Sequence, residues 1–188
     1  MSFLYFLSLY KCMRLFIAVE VPEEVKKRMG ELEKELPDEG LRKVDPGLMH
    51  ITLKFLGEVE EVQLEEIKKA LGKIEFLPFK VRVKGVGVFP KEDYVKVVWA
   101  GTGGEGLEGL AEKVELALAS MFPKEARGFS GHLTLARVKR KIGIKEFLGK
   151  HRGEEFGEFG VRKFLLMQSV LGRGGPEYSV VEEFPAGG

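Results

Sequence analysis

The chain reads as an α+β protein, with amphipathic helices covering antiparallel-rich sheets. Three observations predict this. Apolar residues recur at helical spacing in three separated stretches, strand-like runs fall between them, and no long linker or low-complexity segment interrupts the alternation. With 188 residues, 44% hydrophobic and 31% charged, the chain is long enough to bury a core as one domain and too apolar for a disordered one.

The elements follow in order. Residues 1–12 (MSFLYFLSLYKC) carry an apolar run, Phe3 to Tyr10, too short to span a bilayer. The run lacks the basic start and small-residue cleavage site of a signal peptide. Residues 1–12 are therefore expected to be an N-terminal extension, with the working domain, 13–188, opening at Met13. Residues 14–21 then read as a buried strand. Val25, Met29, Leu32 and Leu36 form one apolar stripe on a helix that Pro22 can start. Leu64, Ile67, Leu71 and Ile74 form a second, and Leu107, Leu110, Val114, Ala117 and Met121 a third, ending before Pro123. A shorter helix is expected through Ile144, Phe147 and Leu148. Further strands are expected at 49–57, 79–89, 94–100, 131–138, 161–171 and 178–183.

Charge narrows the function. Thirty basic and 29 acidic residues leave a net charge of +1, which gives no field to gather long nucleic acid. Any RNA contact must be local, to a short or terminal segment. The single cysteine, Cys12, excludes an internal disulfide and fits a reducing, cytoplasmic setting. The absence of Asn, with only Gln63 and Gln168 as amides amid abundant Glu and Lys, is the composition of a thermostable protein.

The informative feature is a repeat. Residues 50–53 read His-Ile-Thr-Leu and residues 132–135 read His-Leu-Thr-Leu. The chain holds three His and three Thr, and two of each fall in these tetrapeptides. Chance would place them so in roughly one chain per thousand of this composition. In a strand, His50 and Thr52 share one face while Ile51 and Leu53 share the other, and the second copy repeats the pattern. The apolar pair packs beneath the helices. Two such strands related by an approximate twofold would bring two imidazoles and two hydroxyls into one groove.

That set suits phosphodiester chemistry. One neutral imidazole takes a proton from the nucleophile, and a protonated one gives a proton to the leaving oxygen; a pKa near 6.5 makes both forms accessible. Thr52 and Thr134 would hold the non-bridging oxygens. Arg137, in the run after His132, is a candidate cationic phosphate contact, and Lys54, two residues after Thr52, is expected on the same face. Lys139, Arg140 and Lys141 read equally as a solvated basic turn. His151 is expected to be a capping or surface residue, and Gly101-Thr102-Gly103-Gly104 a turn without the Lys-Ser/Thr of a phosphate loop. Neither H-x-H nor H-E-x-x-H spacing occurs, so no metal site is expected.

The two H-x-T-x motifs resemble the signature of the 2H phosphoesterase superfamily. The flanks Met13-Arg14-Leu15-Phe16-Ile17-Ala18-Val19, Leu48 to Glu58, and Gly131 to Arg137 are similar to the RNA 2′,3′-cyclic phosphodiesterases, also called 2′-5′ RNA ligases of the LigT/ThpR type. Gly131 stands where many relatives would carry proline. The resemblance covers 13–188 and implies a bilobal, pseudo-twofold fold around a central cleft. It implies opening of terminal RNA 2′,3′-cyclic phosphates to 2′-phosphomonoesters without metal or cofactor. It also implies His50 as proton donor, His132 as proton acceptor, and Thr52, Thr134 and Arg137 as phosphate contacts. The motifs alone do not tell acid from base. The expected partners are RNA ends or small cyclic nucleotides, with no membrane, no fixed protein partner and a monomeric state. Ligation to a 5′-hydroxyl RNA, and RNA binding without turnover, are the alternatives. Phe89 and Phe129 are candidates to stack on the base, by sequence proximity alone.

Overall fold

A computed structural model describes residues 12–172 and 175–187. Nine strands are seen among the described residues: β1 (Cys12–Glu20), β2 (Leu41–Lys43), β3 (His50–Glu60), β4 (Phe79–Lys91), β5 (Tyr94–Gly103), β6 (His132–Val138), β7 (Glu155–Val161), β8 (Lys163–Gly172) and β9 (Gly175–Pro185). They build two sheets, ordered β3-β1-β8-β9 and β2-β6-β5-β4-β7, with every pairing antiparallel. The expected α+β class with antiparallel sheets is what the chain adopts.

Helices α1 (Glu23–Lys34), α2 (Leu64–Leu71), α3 (Glu105–Ala117) and α4 (Lys145–His151) supply the cover. The stripe on α1 is buried in full, since Val25, Met29, Leu32 and the following Leu36 are all at most 6% exposed. The helix lies against β6 and β7, and α4 lies against β4. Helix α3 buries Leu107, Leu110 and Val114 and reaches both β3 and β4, while α2 packs on α3. These contacts fasten the two sheets through one shared core.

Four local expectations are corrected. Strands β2 and β7 are additions to the expected set; the first is three residues long, and the second alternates glycine with buried Phe156, Phe159 and Val161. The expected run 161–171 is really the end of β7 and most of β8, two strands of different sheets divided at Arg162. Gly101, Thr102 and Gly103 finish β5 instead of turning. A β-carbon on Gly101 would lie 2.7 Å from the Lys84 carbonyl, so glycine here permits close strand approach. His151 is buried, not on the surface, with Nδ1 2.5 Å from Glu154 and Nε2 3.0 Å from Glu35. Of the expected extension 1–12, only Cys12 is described, as the first residue of β1; residues 1–11 lie outside the described residues.

Candidate active site

The two histidines open equivalent strands. His50 is the first residue of β3, opposite Glu20 of β1, and His132 the first of β6, opposite Gly101 of β5. Ile51, Leu53, Leu133 and Leu135 are buried, while His50, Thr52, His132 and Thr134 are half-buried, as the alternation predicts. Strands β3 and β6 approach each other although they belong to different sheets.

Each ring is held the same way. His50 Nδ1 lies 2.8 Å from the carbonyl of Leu48, and His132 Nδ1 lies 2.7 Å from the carbonyl of Ser130. A carbonyl only accepts, so each Nδ1 carries the hydrogen, and Nε2 is the nitrogen that gains or loses a proton. On the first copy the carbonyl is delivered by a short turn, Pro46–Leu48, which Asp45 caps by accepting from the Gly47 amide at 2.8 Å.

Aromatic rings wall both imidazoles. Phe16 and Tyr178 stand 4.8 and 5.1 Å from the His50 ring, and Phe89 and Trp99 stand 5.0 and 6.4 Å from the His132 ring. Burial among them pushes both imidazoles below their usual 6.5, against the pull of the Leu48 and Ser130 carbonyls. A charge on His132 lowers His50 further, as does Lys26, and Arg137 lowers His132. Protonating one ring therefore disfavours protonating the other. An acid and a base working together require one protonated and one neutral ring, and this coupling disfavours the doubly protonated state.

Beyond the threonines the strands break register alike. On β3, Thr52 faces Ala18 and Lys54 faces Ile17, so Leu53 is an extra residue in the ladder. On β6, Thr134 faces Trp99 and Ala136 faces Val98, so Leu135 is extra. A bulge at each point reverses the alternation. Lys54 is thereby turned into the core and does not share the face of Thr52; it is 2% exposed, paired with Glu115, and donates to the Pro123 carbonyl at 3.0 Å. The residue returned to the histidine face is Phe55, 6.2 Å from Phe16 and 63% exposed. The same reversal returns Arg137, exposed, to the face of His132.

A cleft of about 480 Å³ opens beside His132, lined by Thr52, Phe55, Phe89 and Phe129, by Lys124 and Arg127, and by the carboxylates Glu108, Glu112 and Glu125, with the Lys54–Glu115 pair in its wall. Phe89 and Phe129 are thus both brought to the cleft. His50, Thr134, which faces Trp99 across the ladder, and Arg137 are not among its lining residues.

Comparison with known proteins identifies the family. Residues 15–99 match the model of the LigT like Phosphoesterase family. Over 175 residues the chain is 41% identical to the RNA 2′,3′-cyclic phosphodiesterase of Archaeoglobus fulgidus, covering 92% of this chain and 99% of that one. The chain belongs to the LigT-like phosphoesterase family. Solved structures agree in fold. A crystal structure from Thermus thermophilus superposes with a TM-score of 0.79 at 36% identity, over 92% of this chain and 97% of the other. Escherichia coli LigT, crystallised with 3′-AMP, gives 0.80 at 26% identity, over 94% and 99%.

Within this LigT-like frame, sequence reasoning missed Phe16, Phe55, Trp99 and Tyr178. Phe55 sits just past the first motif, but strict alternation assigns it to the wrong face. Tyr178 reaches His50 from β9, and nothing local in the sequence signals that pairing. No group of three or more His, Cys, Asp and Glu among the described residues is arranged to hold a metal ion. No helix among them is long and apolar enough to cross a membrane.

Proposed function

We propose that this chain hydrolyses RNA 2′,3′-cyclic phosphate ends to 2′-phosphomonoesters by acid–base catalysis from His50 and His132, without a metal. The observation that carries the reading is the matched Nδ1-to-carbonyl bond on the two rings, which leaves two Nε2 atoms as the exchangeable sites. Neutral His132 takes a proton from water as its oxygen bonds to phosphorus. Protonated His50 gives a proton to the 3′-oxygen as the P–O3′ bond breaks. Atoms balance: one water is consumed, and the 2′-ester survives with a free 3′-hydroxyl. Each proton transfer is worth roughly 10²–10⁴-fold. Thr52 and Thr134 steady the non-bridging oxygens, and Arg137 offsets their charge. The A. fulgidus relative's name and the 3′-AMP held by E. coli LigT support an RNA-end substrate. The protein acts as a monomer in the cytoplasm.

The test is turnover of an RNA ending in a 2′,3′-cyclic phosphate, in EDTA, by the wild type, His50→Ala and His132→Ala. A 2′-phosphate product, reduced at least a hundredfold in each variant, is the expected result. Loss of wild-type activity in EDTA would overturn metal independence. A joined product appearing only with a 5′-hydroxyl RNA would make ligation the main reaction.

A further inference from the structure

Arg42 lies on β2 directly opposite Arg137 of β6, so the two guanidinium groups project from the same face of the sheet. That face is the one carrying His132, because the bulge at Leu135 returns Arg137 to it. Both arginines are exposed, and among the described residues neither has a carboxylate partner. Like charges set directly across a ladder repel. An anion between them would remove the repulsion.

The arginine pair lies outside the lining of the cleft, on the side toward the other sheet. The Arg42 guanidinium crosses to the other sheet, where Nη2 lies 2.7 Å from the point a β-carbon on Gly175 would occupy. Gly175 opens β9, the strand whose Tyr178 packs on His50. Arg42 therefore reaches from beside Arg137 toward the sheet that carries His50, while Phe55, Phe89 and Phe129 line the cleft with His132.

Substrate chemistry then orients the RNA, granting the assignment of His50 to the 3′-oxygen made above. In a 2′,3′-cyclic ribose, C3′ is bonded to C4′, which carries the 5′ chain, and C2′ to C1′, which carries the base. With O3′ at His50, the 5′ chain leaves on the side of the sheet that carries His50, which Arg42 reaches, and the base lies toward the aromatic cleft beside His132. We infer that Arg42, beside Arg137, binds the phosphodiester on the 5′ side of the terminal nucleotide, and so makes the enzyme prefer RNA ends to cyclic mononucleotides. The exposed Lys139, Arg140 and Lys141 continue the basic surface beyond this pair.

The experiment compares uridine 2′,3′-cyclic phosphate with the dinucleotide UpU ending in the same cyclic phosphate, for wild type, Arg42→Gln and Arg42→Lys. Arg42→Gln should lower kcat/KM on the dinucleotide roughly 10- to 100-fold and leave the mononucleotide unchanged, with Arg42→Lys between. A parallel binding titration with UpU 2′-phosphate should lose about 0.7 from its log–log salt slope in Arg42→Gln, with uridine 2′-phosphate unaffected. Equal losses on both substrates would assign Arg42 to the reactive phosphate, and no loss on either would remove it from the site; each overturns the inference. Should the wild type turn over neither substrate, the hydrolase reading fails, and the salt slopes still decide the role of Arg42.

Discussion

Phe55 stands to His50 as Arg137 stands to His132: each lies five residues on, past a threonine and a bulge, and each returns to the histidine face. The two half-sites share one backbone device and fill its last position with different chemistry. One half-site thereby acquires a flat apolar ring and the other a cation. An almost symmetric pair of motifs becomes a site with a direction.

The aromatic half of that asymmetry predicts a binding defect. Phe55→Ala removes the exposed ring against which a base can stack, a contact worth about 1–3 kcal/mol per base. KM on a cyclic-phosphate RNA should rise roughly tenfold while kcat changes little, because stacking is the same in the ground and transition states. Steady-state kinetics on matched uridine and adenosine substrates measures this. An unchanged KM with a lowered kcat would assign the ring to alignment of the reacting groups.

The histidine pair predicts the pH profile. Burial lowers both imidazoles below 6.5, so both limbs of the bell-shaped dependence of kcat/KM should move to the acid side of free histidine. Activity should fall as pH rises through neutrality, because the acid partner is then mostly unprotonated. A pH–rate series from about 4.5 to about 8.5, spanning the ordinary histidine range, reads the result directly. A maximum above about pH 7 would mean that bound phosphate, not burial, sets the proton affinity of the pair.

What can be read from the sequence is whatever depends on local periodicity. The burial of Ile51, Leu53, Leu133 and Leu135, the half-buried histidines and threonines, and the stripe on α1 all follow from spacing along one segment. The bulges do not, because they exist only in the register between β3 and β1 and between β6 and β5. Two side-chain assignments turn on them: alternation puts Lys54 beside Thr52 when it lies in the core, and it hides Phe55. Burial of His151 is illegible for a related reason, since one of its partners, Glu35, is 116 residues away.

The inward turn of Lys54 makes it a stability element. Its ammonium is buried against Glu115 and the Pro123 carbonyl, fastening β3 to α3 and to the chain leaving that helix. Lys54→Met leaves Glu115 with no counter-charge and should cost on the order of 3 kcal/mol, softened because Glu115 is partly open to solvent. Adding Glu115→Leu should recover most of the loss, since a buried pair replaced by apolar residues is often neutral. Denaturant melts of the two single variants and the double close the cycle. Residual activity of the folded Lys54→Met protein should stay near wild type; a hundredfold loss would return Lys54 to the substrate.

Glu33 gives the clearest stability prediction with pH. The residue is 5% exposed on α1, and burial raises its carboxyl from the usual 4.5 to about 7. A Val44 backbone hydrogen bond and the charge of Lys43 oppose the rise and Asp45 adds to it, but the Val44 amide already donates to the Leu135 carbonyl at 2.8 Å. Between pH 4.5 and about 7 the folded chain holds a proton here that the unfolded chain has released. Stability from this group is therefore full below 4.5 and declines as pH rises through about 7. Glu33→Gln keeps the neutral shape at every pH, so the variant should match wild type at about pH 4 and exceed it by about 3 kcal/mol at about pH 8. Urea titrations at the two pH values measure the difference. A variant no more stable than wild type at the higher pH would show that the ionised carboxylate finds solvent or a partner without disturbing α1.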